Sequence, residues 1–304
     1  MSSEGSPSLK VAFLVGSDSR STRESIEAVC RLSGVLPVGV LLDTEVRSFK
    51  QRRRALVRNV RTNGWSYPSF RIVEAICAAT SNAVNATAVS QTEITKTLKA
   101  AFPDRCFSLA ELAVKYRMPL HEVGNLNSET AVRVLGECGA DLGIVLGTRI
   151  LKPSTFSIPP MGCINLHKGK VPEYRGMPPG FWELYDAASS AGVTVHFIDQ
   201  GLDTGDIVST GSVAIMKTET PESLLEKLHA EGSRTLGLAV ALIRDGAAVR
   251  QPQPTSDSKP RSKPTREQVN SLKRRLPHWK QKSAASVIGK RGILTVLTRL
   301  CPHS

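Results

Sequence analysis

Residues 11–16, with the sequence VAFLVG, decide how the rest of the chain is interpreted. They form a short apolar run that ends in glycine, and in the polar stretch that follows, Ile26, Val29 and Leu32 recur at helical spacing. An apolar run, a turn residue and an amphipathic segment in this order predict a buried strand, a turn and a helix that covers the strand. The segment therefore predicts an α/β fold built on a parallel sheet.

The same alternation continues along most of the chain. Between residues 47 and 105, however, it stops, and groups such as Ile72, Ala75 and Ile76 predict a helical insertion after the second strand. Thr220, a residue type that caps helices, and Pro221 mark the start of the last long helix. Further strands are predicted at residues 38–42, 119–123, 141–147, 162–167 and 193–198, and helices at residues 109–116, 129–137 and 221–244.

Two segments carry the formal net charge of +13. Residues 47–61 contain seven Lys and Arg and no acid, and residues 250–304 contain thirteen against two acids. Residues 251–263, QPQPTSDSKPRSK, have the composition of a linker. The sequence thus predicts one domain over residues 1–250, followed by a basic linker and tail over residues 251–304. The basic segments are either solvated charge or sites for a polyanion, such as tRNA or an anionic membrane surface.

Several classes of protein are excluded by composition. No apolar run approaches the roughly 18 residues of a membrane-spanning helix, and the first ten residues, MSSEGSPSLK, lack the basic start and apolar stretch of a secretory signal. The six cysteines stand far apart without zinc-ligand spacing, so reduced thiols and no metal site are expected. We therefore expect a cytoplasmic protein without a transmembrane segment.

Two motifs concentrate the chemistry, GCINLHKGKVPEYRG at residues 162–176 and GLDTGDI at residues 201–207. On a strand, Asn165 and His167 project from the same face, near the carboxyl end of the strand, where α/β sheets bind ligands. Asp203, in the second motif, adds a carboxylate. Together the three side chains supply an amide donor, an imidazole that can take a proton near pH 7 and a group that orients or balances it.

These groups suit acyl transfer to a nitrogen nucleophile. Asn165 would donate a hydrogen bond to the developing oxyanion, and His167 would receive the proton of the amine. Asp203 would hold His167 or relay the proton through water. No serine or cysteine stands where a covalent nucleophile is needed, so the sequence predicts direct attack by the amine. The acids at positions 199, 203 and 206 lack the spacing of a calcium loop.

The two motifs resemble the folate-dependent formyltransferase family, above all in INLH at residues 164–167, PEYRG at residues 172–176 and LDTGDI at residues 202–207. The resemblance implies a Rossmann-like formyltransferase core with 10-formyltetrahydrofolate as the formyl donor. It places Asn165, His167 and Asp203 on the catalytic positions. The folate pocket that it implies is formed by Leu146, Gly147, Thr148, Arg149, Ile150, Leu151, Gly201 and Leu202, and the acceptor side by Gly169, Tyr174, Arg175 and Gly176.

The leading interpretation is a 10-formyltetrahydrofolate-dependent N-formyltransferase that acts on the primary amine of a small acceptor, such as an amino sugar. Formylation of initiator methionyl-tRNA is the alternative, supported by the basic segments at residues 47–61 and 250–304. Two further alternatives are a hydrolase that releases formate from the donor and a non-catalytic module that binds an anion.

Overall fold

The computed structural model describes residues 8–45, 108–256 and 258–276. The helical insertion predicted for residues 47–105 lies outside these ranges, as does the end of the tail. In the described part of the chain, no helix combines the length and the apolarity that crossing a membrane requires.

A mixed sheet forms the centre of the described structure. Its seven strands are β1 (Leu9–Val15), β2 (Val35–Asp43), β3 (Leu120–Val123), β4 (Leu142–Leu146), β5 (Cys163–His167), β6 (Ser190–Phe197) and β7 (Ile207–Ala214). They lie in the order β3-β2-β1-β4-β5-β6-β7. The pairs from β3 through β5 are parallel, whereas β6 is antiparallel to both β5 and β7. The sheet is therefore mostly parallel, with an antiparallel edge.

Seven described helices cover and flank this sheet. They are α1 (Arg20–Cys30), α2 (Leu109–Lys115), α3 (Glu129–Glu137), α4 (Pro153–Phe156), α5 (Phe181–Tyr185), α6 (Pro221–Arg244) and α7 (Arg266–Arg275). Hydroxyl side chains cap several of their N-termini: the Ser19 hydroxyl accepts a hydrogen bond from the Thr22 N–H, and Thr220 and Ser223 form a capping box at α6. Such caps satisfy backbone donors that have no partner within the helix.

From Val11 to Val15, strand β1 is buried on both faces, which explains the continuous apolar sequence of this part. Val11, Phe13 and Val15 point into the larger apolar cluster, which also contains residues of α1 and α6. Ala12 and Leu14 point into the smaller cluster on the opposite face. The sheet is thus covered on both sides, and its carboxyl edge is free to carry a site.

The structure confirms the mostly parallel α/β core predicted from the sequence. Each predicted strand and helix in the described ranges is present, and the bounds of α3 and α6 coincide with the prediction. The sequence did not predict β7 or α7, nor the antiparallel direction of β6.

Residues 251–256 and 258–263, which lie in the segment interpreted from the sequence as a linker, run along the body of the protein. Gln251 pairs with Ile207 at the start of β7, and Arg261 pairs with Gly176. Leu272, in α7, is fully buried in the larger apolar cluster. The domain boundary at residue 250 remains a prediction, but Val269, Leu272 and Leu276, which follow it, are packed against the larger apolar cluster.

Candidate active site

The candidate site lies at the carboxyl ends of β4 and β5. Next to it, between the carboxyl ends of β1 and β4, the strand order of the sheet reverses. Two glycines allow these ends to approach closely. A Cβ on Gly16 would lie 2.1 Å from the carbonyl oxygen of Gly147, and Gly147 itself has a φ of 62°. Ligands of open α/β sheets bind in the crevice beside such a reversal.

Strand β5 places Asn165 and His167 on the same face, as the spacing of two predicts. Because β5 pairs in antiparallel register with β6, Asn165 lies opposite His196. The Asn165 Nδ2 is 3.2 Å from the His196 Nε2. A second histidine therefore enters the site from the neighbouring strand.

Asp203 reaches both histidines from the loop between β6 and β7. Its Oδ2 lies 3.5 Å from the His167 Nδ1, and its Oδ1 lies 3.7 Å from the His196 Nε2 and 3.4 Å from the Asn165 Nδ2. Its backbone has a φ of 54°, in the left-handed region that residues with a Cβ seldom adopt. The loop thus holds the carboxylate between the two imidazole rings at a cost in backbone strain.

The hydrogen bonds of His167 determine which nitrogen faces the carboxylate unprotonated. The Nε2 lies 2.8 Å from the Tyr174 carbonyl oxygen, which can only accept, so Nε2 carries the proton in the neutral ring. The Nδ1 then faces Asp203 with a free lone pair. Burial lowers the pKa of His167, and the Asp203 charge opposes this effect only in part. The ring is therefore neutral near pH 7, with Nδ1 as its proton-accepting atom.

The hydrogen bonds of His196 and Asn165 likewise identify which of their atoms donate and which accept. The His196 Nδ1 lies 2.8 Å from the carbonyl oxygen of Phe197, so it donates, and the Nε2 accepts a hydrogen bond from the Asn165 amide. The second Asn165 proton points toward Asp203 over the longer distance of 3.4 Å. That weaker contact is the one that a substrate oxygen could replace.

Asp203 remains ionised. Burial raises its pKa, but the neighbouring His196 and His167 rings and the Gly176 N–H, 3.1 Å from Oδ2, together lower it. The carboxylate therefore lies between the two imidazole rings and can stabilise a proton that arrives on His167.

A cleft of about 390 Å³ opens over these groups and is lined by Asn165, His167, His196 and Asp203. Of the residues predicted to bind folate, Gly147, Thr148, Arg149, Ile150, Leu151, Gly201 and Leu202 line the cleft. Leu146 lies beneath it in the apolar core. The Arg149 guanidinium is bound to Asp43, with 2.7 Å between Nη2 and Oδ1, and also to Glu45. The predicted folate residues are thus brought together, apart from the buried Leu146.

The four predicted acceptor-side residues are placed differently. Gly176 lines the cleft, whereas Tyr174 and Arg175 line a small adjoining cavity. Gly169 packs behind His167, because a Cβ there would lie 2.6 Å from the His167 Nε2. The Arg175 guanidinium donates to the Ser258 carbonyl over 2.7 Å and to the Pro172 carbonyl over 3.3 Å. The structure therefore brings one of the four directly to the cleft.

Comparison with known proteins adds an independent observation. The sequence profile of the family described as formyl transferase matches residues 68–240, more than half of the chain. The chain belongs to the formyl transferase family. The matched range contains Asn165, His167 and Asp203, and it begins inside the segment predicted as an insertion.

Curated relatives of this family member are named methionyl-tRNA formyltransferase. The protein from Agathobacter rectalis is 32% identical over 149 residues, which cover 49% of this chain and 48% of the relative. The protein from Pelotomaculum thermopropionicum is 37% identical over 112 residues, which cover 37% of this chain and 36% of the relative. The chain thus spans about half the length, or less, of the curated relatives that it matches.

Solved structures share the fold of this family member. Glycinamide ribonucleotide transformylase 1 from Symbiobacterium toebii has a TM-score of 0.53 at 17% identity, covering 82% of this chain and 95% of that protein. A sugar N-formyltransferase from Shewanella sp. FDAARGOS_354 has a TM-score of 0.52 at 14% identity, covering 88% of each chain. At these identities the likeness shows the fold alone.

Sequence reasoning missed two residues of this candidate site. His196 is 2% exposed, and its signal was a polar residue inside an otherwise apolar strand. Lys168, directly after His167, lines both the cleft and the small cavity. Burial lowers its pKa, and no described side chain forms an ion pair with its ammonium group. Nothing in the sequence pattern distinguished Lys168 from the exposed lysines.

Proposed function

We propose that the protein is a 10-formyltetrahydrofolate-dependent N-formyltransferase that transfers the formyl group to the primary amine of a small acceptor, such as an amino sugar. One observation carries the proposal: Asn165, His167 and Asp203 converge on the floor of a single cleft, with 3.5 Å or less between the polar atoms of Asp203 and each of the other two. The membership in the formyl transferase family supports it.

The cleft suits a flat aromatic donor such as the folate ring. Its volume of about 390 Å³ lies within the range of pockets that hold small ligands. Ile150 and Leu202, which line the cleft, are 71% and 41% exposed, although apolar side chains of this size favour burial. These exposed apolar side chains would contact the ring system of the donor, and its reactive group would then be directed toward Asn165 and His167.

The donor supplies a formyl carbon attached to nitrogen, and the side chains on the floor divide the work of moving it. The acceptor amine would form the new carbon–nitrogen bond first, giving a tetrahedral species, and the bond from that carbon to the donor nitrogen would break when this species collapses. The Asn165 amide would donate to the oxygen of the tetrahedral species, exchanging its 3.4 Å contact with Asp203. The His167 Nδ1 would take the amine proton, and Asp203 would stabilise the resulting imidazolium. The same proton would then pass to the donor nitrogen as that nitrogen leaves the formyl carbon.

Direct attack fits the composition of the cleft. No serine or cysteine is among the residues that line its described part, and the hydroxyl of Thr148, which does line it, donates to the Arg149 carbonyl over 2.8 Å. The acceptor amine must then reach the formyl carbon itself, which requires both substrates to be bound together.

Donor turnover tests the proposal. The purified full chain is incubated with 10-formyltetrahydrofolate and one acceptor at a time, either a nucleotide-linked amino sugar or initiator methionyl-tRNA, and tetrahydrofolate release is measured. We expect release that depends on an amino sugar and yields the formylated amine. Release without any acceptor would indicate a hydrolase, and release with methionyl-tRNA alone would favour the second candidate.

The variant His167→Ala separates catalysis from binding. Loss of a general base typically costs about 10² to 10⁴-fold in rate, while the apolar walls that would bind the donor remain. We therefore expect turnover to fall by that factor and the Kd of the stable isomer 5-formyltetrahydrofolate to change little. His121→Ala, on the distant edge strand β3, is the matched control. If the wild-type protein binds 5-formyltetrahydrofolate but does not turn over the donor with any acceptor, the protein is a binding module and not an enzyme.

The second candidate is methionyl-tRNA formyltransferase. The observation that favours it is the name carried by the curated relatives from Agathobacter rectalis and Pelotomaculum thermopropionicum. The seven bases at residues 47–61 supply charge for a polyanion. The acceptor panel distinguishes the two candidates, because both use the same three side chains.

A further inference from the structure

The chain beyond residue 240, where the match to the family ends, returns to the site. Residues 250–256 and 258–262, here named the C-terminal clasp, cross the two loops that meet at Asp203. At its start, Gln251 exchanges two backbone hydrogen bonds with Ile207, of 2.8 Å and 2.9 Å. The Arg250 guanidinium lies 3.7 Å from the centre of the Phe197 ring. These contacts fix the clasp to the end of β6 and the beginning of β7.

Gln253 contacts the Asp203 loop directly. Its Nε2 donates to the carbonyl oxygen of Asp203 over 2.9 Å and to that of Gly205 over 2.8 Å. Its Oε1 is buried without a partner in the described structure. Leaving a buried amide oxygen unsatisfied has a cost in free energy. Both amide protons of this side chain bind carbonyl oxygens of the same loop.

The far end of the clasp holds the opposite loop. The Arg261 N–H donates to the Arg175 carbonyl over 2.7 Å, and the Met177 N–H donates to the Arg261 carbonyl over 3.1 Å. Between them, the Gly176 N–H donates to the Asp203 carboxylate. A Cβ at Gly176 would lie 2.1 Å from the Arg261 carbonyl oxygen, so glycine is required for this approach.

Side-chain contacts secure Arg261 in this position. Its guanidinium forms an ion pair with Asp186 at 2.6 Å and lies 5.0 Å from the centre of the Trp182 ring. The Trp182 indole N–H donates to the carbonyl of Ser262 over 3.1 Å. The clasp is therefore anchored on both sides of Asp203, through the backbone at one end and through α5 at the other.

We infer that Gln253, in the C-terminal clasp, is a positioning residue, which acts through Asp203 and not on the substrate. The left-handed backbone at Asp203 is unfavourable for a residue with a Cβ, so contacts from outside the loop must maintain it. Gln253 supplies two of these contacts, and the Gly176 N–H, fixed by Arg261, supplies a third. The inference rests on the proposed function.

Full-length Gln253 variants test this role. Methionine at position 253 keeps the length of the side chain but has no donor, whereas lysine restores a donor that can reach the two carbonyls. Gln251→Met is the matched control, since the Gln251 side chain is exposed and its contacts with Ile207 are made by the backbone. We measure kcat and KM for both substrates, and the pKa of the Asp203 carboxyl by ¹³C NMR.

We expect Gln253→Met to lower kcat by roughly 10 to 100-fold, because small displacements of a reacting group have effects of this size, with each KM changed by less than about twofold. The pKa of Asp203 should rise toward its ordinary value as the carboxylate leaves its donors. Gln253→Lys should recover most of the rate, and Gln251→Met should behave as the wild type.

Two results would overturn the inference. The first is an unchanged kcat in Gln253→Met, and the second is an equal loss in Gln251→Met, which would mean that the segment only stabilises the fold. A wild-type protein without turnover would refute the proposed function separately. In that case the role of Gln253 is tested by the pKa of Asp203 alone. An unchanged pKa in Gln253→Met would show that Gln253 does not position the carboxylate.

Discussion

Burial and the charge of Asp203 shift the pKa of His167 in opposite directions. Burial lowers the pKa of His167 below the ordinary value of 6.5, and the Asp203 charge partly restores it. If the neutral ring accepts the amine proton, activity is present above this lowered pKa and is lost as the pH falls through it. The acid limb of the pH–rate profile therefore reports His167.

The variant Asp203→Asn should move that limb to lower pH. Removing the carboxylate takes away the charge that raises the pKa of His167, so the ring stays neutral to a lower pH. The maximal rate should fall, by roughly 10 to 1,000-fold, because the imidazolium loses its stabilising partner. Profiles of kcat/KM against pH check this, with Asp206→Asn in the same loop as control. A limb that moves to higher pH would contradict the assignment of Nδ1 as the accepting atom.

Glu183, in α5, is a buried acid that the proposed chemistry does not use. It is 2% exposed, its Oε1 has no partner in the described structure, and burial raises its pKa to about 7 from an ordinary 4.5. The folded state therefore keeps a proton that the unfolded state loses between these values. The stability that this provides is fully present below about pH 4.5 and is lost as the pH rises through 7.

The neutral variant Glu183→Gln should abolish this pH dependence. At pH 8 we expect it to be more stable than the wild type, by up to about 3 kcal/mol, since each pKa unit corresponds to about 1.4 kcal/mol. Near pH 4 the two proteins should unfold alike. Urea denaturation at both pH values measures the difference, and Glu173→Gln, at an exposed position, serves as control. Equal stability at pH 8 would show that Glu183 is ionised without cost.

Among individual residues, the sequence predicted Asn165, His167 and Asp203 because the first two follow the strand period and the third follows a recognisable loop motif. It could not predict His196, whose position depends on the register between β5 and β6. Cross-strand neighbours are set by pairing, and local sequence carries no record of which strand pairs with which.

Packing between strands and helices makes different demands on two buried glycines. Gly232, inside α6, has room: a Cβ there would meet Leu166 carbons at 3.5 Å, an ordinary contact. Gly143, in β4, has none, since its Cβ would lie 2.3 Å from the Cys163 sulfur on β5. Close pairing of β4 with β5 therefore requires glycine at position 143, whereas α6 merely tolerates it at position 232.

The two alanine variants should consequently have opposite effects. Gly232→Ala should stabilise the protein by about 0.5 to 1 kcal/mol, because alanine is the better helix former. Gly143→Ala should destabilise it by about 1 to 3 kcal/mol through overpacking. Thermal unfolding of both variants against the wild type measures this. Destabilisation by Gly232→Ala would mean that the interface of α6 with Leu166 cannot accept a methyl group.

The elements themselves were largely predictable, because each has a strong local pattern. Strand β1 is apolar from Val11 to Val15, and α6 begins at a Thr-Pro cap and continues for 24 residues. The direction of β6 and the course of the clasp were not predictable. An apolar strand reads the same in either direction, and the Pro- and Ser-rich composition of residues 251–263 indicates a linker unless a partner such as Gly176 accepts its backbone.

Across the whole chain, charge and chemistry are separated. The net charge of +13 comes from residues 47–61 and 250–304, while the rest of the chain, which includes Asn165, His167 and Asp203, is slightly acidic. The clasp draws part of the second basic segment into the structure, where Arg261 is paired with Asp186. Its bases are therefore partly structural, and residues 47–61 are the better test for binding of a polyanion.

Replacing Arg52, Arg53 and Arg54 by glutamine should separate RNA binding from formyl transfer. If these arginines contact phosphates, the slope of log affinity against log salt for tRNA should become shallower by up to about 3, since each contact contributes about 0.7 to 0.9. Formyl transfer to an amino-sugar acceptor should be unchanged in the same protein, because these residues lie outside the three-residue chemistry. Binding of tRNA is measured across a salt series, with the small acceptor as internal control. An unchanged slope would show that residues 52–54 do not contact phosphates. An equal loss of formyl transfer with both acceptors would show that these residues are needed for folding or for donor binding.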